Sequence, residues 1–208
     1  MTKNMEPTTT VQRLPMYHRC LQKLNTEGVE IVSSKELGEK VGVPATQVRK
    51  DLSYYGEFGQ RGVGYQVSLL LKHLRKILGL EKEWKIVLVG VGHLGQALIK
   101  YQGFRNLGLN IDYAVDIDPQ KVSTQVAGVE IKAMSELEQI ITKEEIEIGI
   151  IAAPAQVAQE IADKLVAGGI KAIWNFAPRY IEVPYEVKLV NEDLSVGLIG
   201  LTYHLAES

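Results

Sequence analysis

Apolar positions along this chain follow one rhythm in the first third and another in the rest. Leu14, Tyr17, Cys20, Leu21 and Leu24 recur at spacings of three and four, which predicts a helix from Pro15 to about Asn25. Pro15 suits a first helical turn, Gly28 ends the element, and the polar, threonine-rich residues 1–12 read as a loose arm. Ser33-Ser34-Lys35-Glu36 has the spacing of a capping box and opens a short helix through Val41, which Gly42 breaks. Pro44 restarts a helix to Leu52 after a turn of about three residues. From Gly56 to Gly64 four glycines alternate with aromatic and polar residues, the composition of a tight hairpin or wing. Val67, Leu70, Leu71, Leu74, Ile77 and Leu78 form a closing helix, stopped by Gly79. Three helices, a glycine-rich hairpin and a closing helix predict a winged helix-turn-helix over residues 1–80.

Beyond Glu81-Lys82-Glu83 the pattern changes. Ile86–Val89 is a continuous apolar run, the mark of a buried parallel strand, and Asn110–Val115, Ile146–Ala152, Lys171–Asn175 and Lys188–Val190 read as further strands. Helical segments intervene, clearest at Ala155–Ala167, with Val157, Ile161, Leu165 and Val166 expected to face inward. Strands alternating with helices predict an α/β, Rossmann-type doubly wound parallel sheet over residues 81–194. In residues 195–208, Val196, Leu198, Ile199, Leu201, Thr202 and Leu205 make an apolar segment with hardly a charge. It needs cover, from a partner subunit or from its own sheet.

Composition narrows the classes. Over 208 residues, 46% hydrophobic and 23% charged are values of a globular chain. No apolar run approaches a membrane span, and the first twenty residues hold no secretory leader pattern. The one cysteine, Cys20, fits a reducing cytoplasm, and four scattered histidines make no metal-ligand spacing. The formal charge of −2 hides a partition: residues 1–80 hold 12 basic against 7 acidic side chains, and residues 81–208 hold 11 against 18. A basic first part suits an anionic partner.

Gly90-Val91-Gly92-His93-Leu94-Gly95 is Gly-x-Gly-x-x-Gly, directly after the Ile86–Val89 strand and before a helical run. Gly90 allows the tight turn, Gly92 lets a pyrophosphate approach the backbone, and Gly95 lets helix and strand pack closely. Asp116 closes the next strand, 26 residues beyond Gly90, where a carboxylate would hold the adenosine ribose and repel a 2′-phosphate. NAD(H) is therefore favoured over NADP(H). Asp118 can take the ribose role or cap the turn at Pro119. Residues 81–208 suffice for a nucleotide-binding fold but leave no room for a substrate domain, and neither His93 nor His204 makes a convincing acid/base pair.

Gln47-Val48-Arg49-Lys50-Asp51-Leu52-Ser53-Tyr54-Tyr55-Gly56, Arg61-Gly62-Val63-Gly64-Tyr65, the Gly90–Gly95 loop and Asn175-Phe176-Ala177-Pro178 together resemble the Rex family of bacterial redox-sensing repressors. The resemblance runs from about Thr10 to the end of the chain. It implies no enzyme but a homodimer that binds a palindromic DNA operator when NADH is scarce and releases it as the NADH/NAD ratio rises, with a C-terminal helix swapped between subunits. It assigns Gln47, Arg49, Lys50, Ser53, Tyr54 and Arg61 to DNA, and Tyr101 with the loop to the nucleotide. Arg19, Tyr101 and Asp193 fall where the family couples its domains. Independently, a recognition helix puts its early residues at base edges, so Gln47 can pair bidentately with adenine, and Arg49 or Lys50 with guanine or phosphate. Arg61 can enter a minor groove. An NAD-dependent oxidoreductase and a CoA- or nucleotide-binding regulatory module remain alternatives at this level.

Overall fold

The computed structural model describes residues 7–60 and 62–206. The chain divides between Lys82 and Glu83 into two compact units. The first runs α1 (Thr8–Thr26), β1 (Ile31–Val32), α2 (Ser34–Val41), α3 (Ala45–Ser53), β2 (Gly59–Gln60), β3 (Gly64–Gln66) and α4 (Val67–Ile77). Helix α1 begins at Thr8, not at Pro15, so the stretch read as an arm is helical from Thr8 onward and Pro15 lies inside the helix. Pro15 cannot donate to the carbonyl of Val11. Both residues are exposed, so the break lies on the solvent side of the helix, while buried Thr10 and Leu14 hold it on either side.

The capping box is present: Glu36 N–H donates to Ser33 Oγ, and Ser33 N–H donates to the Glu36 carboxylate. Gly42 ends α2 at a φ of 76°, and the chain re-enters a helix from Pro44. Strands β1, β3 and β2 pair antiparallel in that spatial order, forming the wing. The two residues of β1 are too few to show an alternation in the sequence. Leu14, Tyr17 and Leu21 of α1 pack with Leu37, Val48, Leu52, Leu70 and Leu74 to make one core. This is a winged helix-turn-helix.

The second unit runs β4 (Trp84–Val89), α5 (His93–Lys100), α6 (Gln102–Arg105), β5 (Leu109–Asp116), β6 (Gln125–Val126), β7 (Val129–Ala133), α7 (Leu137–Glu144), β8 (Ile148–Ile151), α8 (Ala158–Ala167), β9 (Ala172–Asn175), β10 (Lys188–Asn191) and α9 (Leu194–Ala206). The strand order is β10-β9-β8-β4-β5-β7-β6, parallel except for the antiparallel β6–β7 pair. The order reverses at β4, which is the switch point where Rossmann sheets take their ligands. Ile86 and Leu88 of β4 pack with Ile99 of α5 on one face, and Val87 and Val89 pack with α7 and α8 on the other.

The structure departs from the sequence pattern at β7 and α8. Strand β7 is not marked by the apolar-run pattern, because Val129 and Ile131 alternate with Glu130 and Lys132. On α8 the buried face is Ala158, Ile161, Ala162 and Leu165; Val157 precedes the helix and stays 39% exposed. Helix α9 lies open: Leu194, Val196, Leu198, Ile199, Leu201 and Leu205 are 59–76% exposed, so its own sheet does not cover it. Among the described residues no helix is long and apolar enough to cross a membrane.

Candidate functional site

The glycine loop sits at the carboxyl end of β4, at the switch point of the sheet. Gly90 turns the chain with φ at +98°, and a Cβ there would stand 2.7 Å from the carbonyl oxygen of Ala152. A Cβ on Gly95 would come within 2.1 Å of the Gly90 oxygen, so helix α5 can start this close to the strand only with glycine. Gly92 has nothing within 4 Å of an added Cβ, which leaves open space in front of the first turn of α5. The leading N–H groups of that turn have no intrahelical partners and face this space as donors. His93 is exposed and Leu94 half-buried, while the Val91 side chain is buried in the core. The loop therefore offers backbone, not side chains, to an anion, and its shape fits a dinucleotide pyrophosphate.

Asp116 ends β5 beside this loop. Its Oδ2 accepts from Val91 N–H at 2.7 Å and from Lys121 Nζ at 3.0 Å, and its Oδ1 accepts from Asp118 N–H at 2.9 Å. Burial pushes the carboxyl up, but these bonds outweigh it and hold it below its ordinary value. Asp118 accepts from Gln120 N–H at 2.9 Å, which caps the turn after Pro119. Lys121 lies 3.0 Å from one carboxylate and 3.9 Å from the other. Nothing in the Gly-x-Gly-x-x-Gly pattern pointed to this lysine.

Tyr101 lies between α5 and α6, 56% exposed, with its ring edge-on to Phe104 at 4.8 Å. Phe104 meets Trp174 at 6.0 Å, and Trp174 meets Phe176 at 4.4 Å, so an aromatic row runs from the α5 end to β9. Buried Asn175 holds the Phe176–Arg179 turn: its Oδ1 accepts from Ala177 N–H, and its Nδ2 donates to Arg179 O and Asn191 Oδ1 at 2.8 Å each. Asp193 stands at the head of α9, where its Oδ1 accepts from both the N–H and the Oγ of Ser195. Those bonds lower its pKa, and among the described residues Oδ2 accepts no hydrogen bond.

In the first unit, α3 is the second helix of the helix-turn-helix. Gln47 lies in its first turn, Lys50 and Ser53 are exposed along it, and Tyr54, half-buried, follows it. Arg49 Nη1 donates to Ser34 Oγ at 2.9 Å, and Ser53 Oγ donates back to Lys50 O at 2.8 Å. Arg61 lies outside the described residues. Arg19 is exposed on α1. No local sequence pattern marks the surroundings of Asp51, which is wholly buried on α3. It accepts from Thr10 Oγ1, Arg13 Nε and Nη2, Tyr17 OH and Gln47 Nε2 at 2.6–3.0 Å. Burial alone pushes its carboxyl up, but the bonds from Arg13, Tyr17, Gln47 and Thr10 bring it down to about 2. The structure thus puts the Gln47 amide, expected at a base edge, on a buried carboxylate.

Comparison with known proteins covers both units. Residues 81–179 match the family model described as "CoA binding domain", and residues 7–53 match that described as "Putative DNA-binding protein N-terminus". The redox-sensing transcriptional repressor Rex of Desulfitobacterium hafniense is 49% identical over 199 residues, spanning 96% of this chain and 95% of its own. The protein of the same name from Syntrophomonas wolfei is 48% identical over 200 residues, with 96% and 95% covered. Among solved structures, RSP in complex with beta-NAD+ and operator DNA superposes with a TM-score of 0.91 at 43% identity, covering 97% of this chain and 93% of that one. RSP in complex with beta-NADH gives a TM-score of 0.91 at 40% identity, with 98% and 96% covered, and RSP is described as a Rex-family repressor. A winged helix-turn-helix, a glycine loop at a Rossmann switch point and near-half identity over almost the whole length leave one assignment: this chain belongs to the Rex family of redox-sensing transcriptional repressors.

Proposed function

We propose that this chain acts as a homodimer that holds a palindromic operator when NADH is scarce and lets go as the NADH/NAD ratio rises. The observation that carries the reading is the full-length likeness, at a TM-score of 0.91, to a repressor solved both with operator DNA and beta-NAD+ and with beta-NADH. The relatives are named for repression and not for a reaction, which sets aside the oxidoreductase alternative. A repressor works beside the chromosome, in the cytoplasm, and a single cysteine suits that compartment.

The residues divide the work. Gly90, Gly92 and Gly95 shape the loop so that the N–H groups at the head of α5, with Val91, His93 and Leu94 around them, receive the pyrophosphate. Asp116 accepts from the adenosine ribose hydroxyls, and Asp118 keeps the turn closed behind it. On α3 and the wing, Gln47, Arg49, Lys50, Ser53, Tyr54 and Arg61 meet the duplex. One recognition helix reads only a few base pairs, so two copies on a two-fold site are needed. Helix α9, apolar and uncovered, buries against the partner subunit and makes the dimer.

The switch uses Arg19, Tyr101 and Asp193. A ligand shifts an equilibrium only by its differential affinity for the two states, and NAD and NADH differ in the charge and planarity of one ring. Asp193 uses Oδ1 for Ser195, and among the described residues its Oδ2 takes no hydrogen bond. That oxygen pairs with Arg19 of the other subunit in the DNA-holding state and with Tyr101 in the NADH-bound state, one acceptor for two donors.

A family model described by CoA keeps one rival in view, a CoA-responsive module. Calorimetric titration with NADH, NAD, NADPH and CoA separates the readings. The proposal expects NADH to bind tightest, with no turnover. Tighter binding of CoA than of NADH would overturn it.

A further inference from the structure

Asp51 and Gln47 stand four residues apart on α3, on one face of the helix, and the Gln47 Nε2 donates to Asp51 Oδ1 at 2.7 Å. The carboxylate around which they meet is wholly buried and takes a bidentate pair from Arg13 at 2.6 and 2.8 Å, besides bonds from Tyr17 and Thr10. Ionised, it can only accept. A flipped Gln47 amide would set Oε1 against Oδ1, two acceptors with no proton between them. An exposed glutamine turns its amide either way; here one orientation is held. Gln47 Oε1 takes no bond from the described residues and is not among their buried unpartnered atoms.

We propose that Asp51 is a positioning residue that fixes the reading of one base by Gln47, by drawing the amide nitrogen inward and leaving the carbonyl oxygen as the group shown to the duplex. This rests on the proposed use of α3 in the major groove. Only adenine and cytosine carry an amine there, N6 and N4, whereas guanine and thymine show acceptors. Adenine gains a second contact, because the other N–H of Nε2 remains for N7. The order at the position read by Gln47 is therefore adenine, then cytosine, with guanine and thymine rejected.

Duplexes selected by the full-length protein from a randomised library test this. The wild type should require adenine at one position per half-site, with cytosine second. Replacing that adenine by purine, which lacks the N6 amine, should weaken binding about 5- to 100-fold. Gln47→Ala should erase preference at that position and no other. Asp51→Asn, free to turn either end toward Gln47, should admit guanine there while leaving the other positions as they were, an outcome that general loosening of the helix would not give. Should that variant not fold, side-chain amide exchange in the wild-type protein decides. One Gln47 N–H must exchange slowly, and equally fast exchange of both would remove the clamp. If no duplex is selected at all, the assignment of α3 to DNA fails. If duplexes are selected but Gln47→Ala changes no position, or guanine or thymine is preferred at the one it changes, this inference fails alone.

Discussion

The two units manage their polar groups in opposite ways. In the first, the buried carboxylate of Asp51 accepts five bonds, and four of them come from α1. It is a joint, and it closes the helical unit on itself. In the second, the buried carboxylate of Asp116 accepts two backbone N–H groups and one lysine at the end of a strand, beside a glycine with empty space before it. That unit is open at this corner, and open again along α9. A recognition helix must keep its shape against a rigid duplex, so its polar capacity goes into the fold. A sensor must leave groups unspent for a ligand and a partner.

The widest opening should give the largest effect. Removing residues 195–208 takes away the apolar surface of α9, and the protein should then sediment as a monomer with operator affinity down about 100-fold or more. A truncated protein that stays dimeric would show that another surface holds the pair. Next comes the loop, where two neighbouring glycines should fail in different ways. Gly92→Val fills the open space and should abolish NADH binding with the melting temperature unchanged. Gly95→Ala drives a methyl into the Gly90 carbonyl and should lower the melting temperature itself. Identical behaviour of the two would erase the distinction between cradle and packing.

The closed joint should show in acid. Asp51 sits at about 2, below its ordinary 3.8, so its stabilisation is complete above that ordinary value and is lost as pH falls through about 2. On the order of 2 kcal/mol should drain from the first unit across that window. Asp51→Asn should be less stable at neutral pH and lack this acid slope, readable by denaturant melts at stepped pH. The smallest effect belongs to Asp116→Ala. Loss of the ribose contact should cost NADH about 10-fold, while Lys121, freed of its partner, should help a 2′-phosphate and narrow the gap to NADPH. An unchanged preference would take Asp116 out of the site.

What the sequence reveals here depends on distance along the chain. The capping box at Ser33 and the loop at Gly90 are local devices, written in consecutive residues, and both stand where they were read. Four of the five bonds to Asp51 come from residues 34 to 41 positions earlier, and no spacing rule connects a buried aspartate to a threonine, an arginine and a tyrosine so far away. The start of α1 was hidden for a related reason. Three threonines and an internal proline argue against a helix by propensity, and the bond from Thr10 to Asp51 helps override them. Strand β7 was obscured by its alternating charges, and Lys121 by lying in a turn that the dinucleotide fingerprint does not include.

Redox sensing by this chain requires that nucleotide bound in the second unit change the grip of the first on DNA. Its most direct measurement is the fraction of an operator duplex held by the full-length protein as the NADH/NAD ratio is raised at constant total nucleotide. The wild type should release DNA as the ratio climbs, and Tyr101→Phe should bind equally well but release only at a higher ratio. Occupancy indifferent to the ratio, or tightened by NADH, would contradict it.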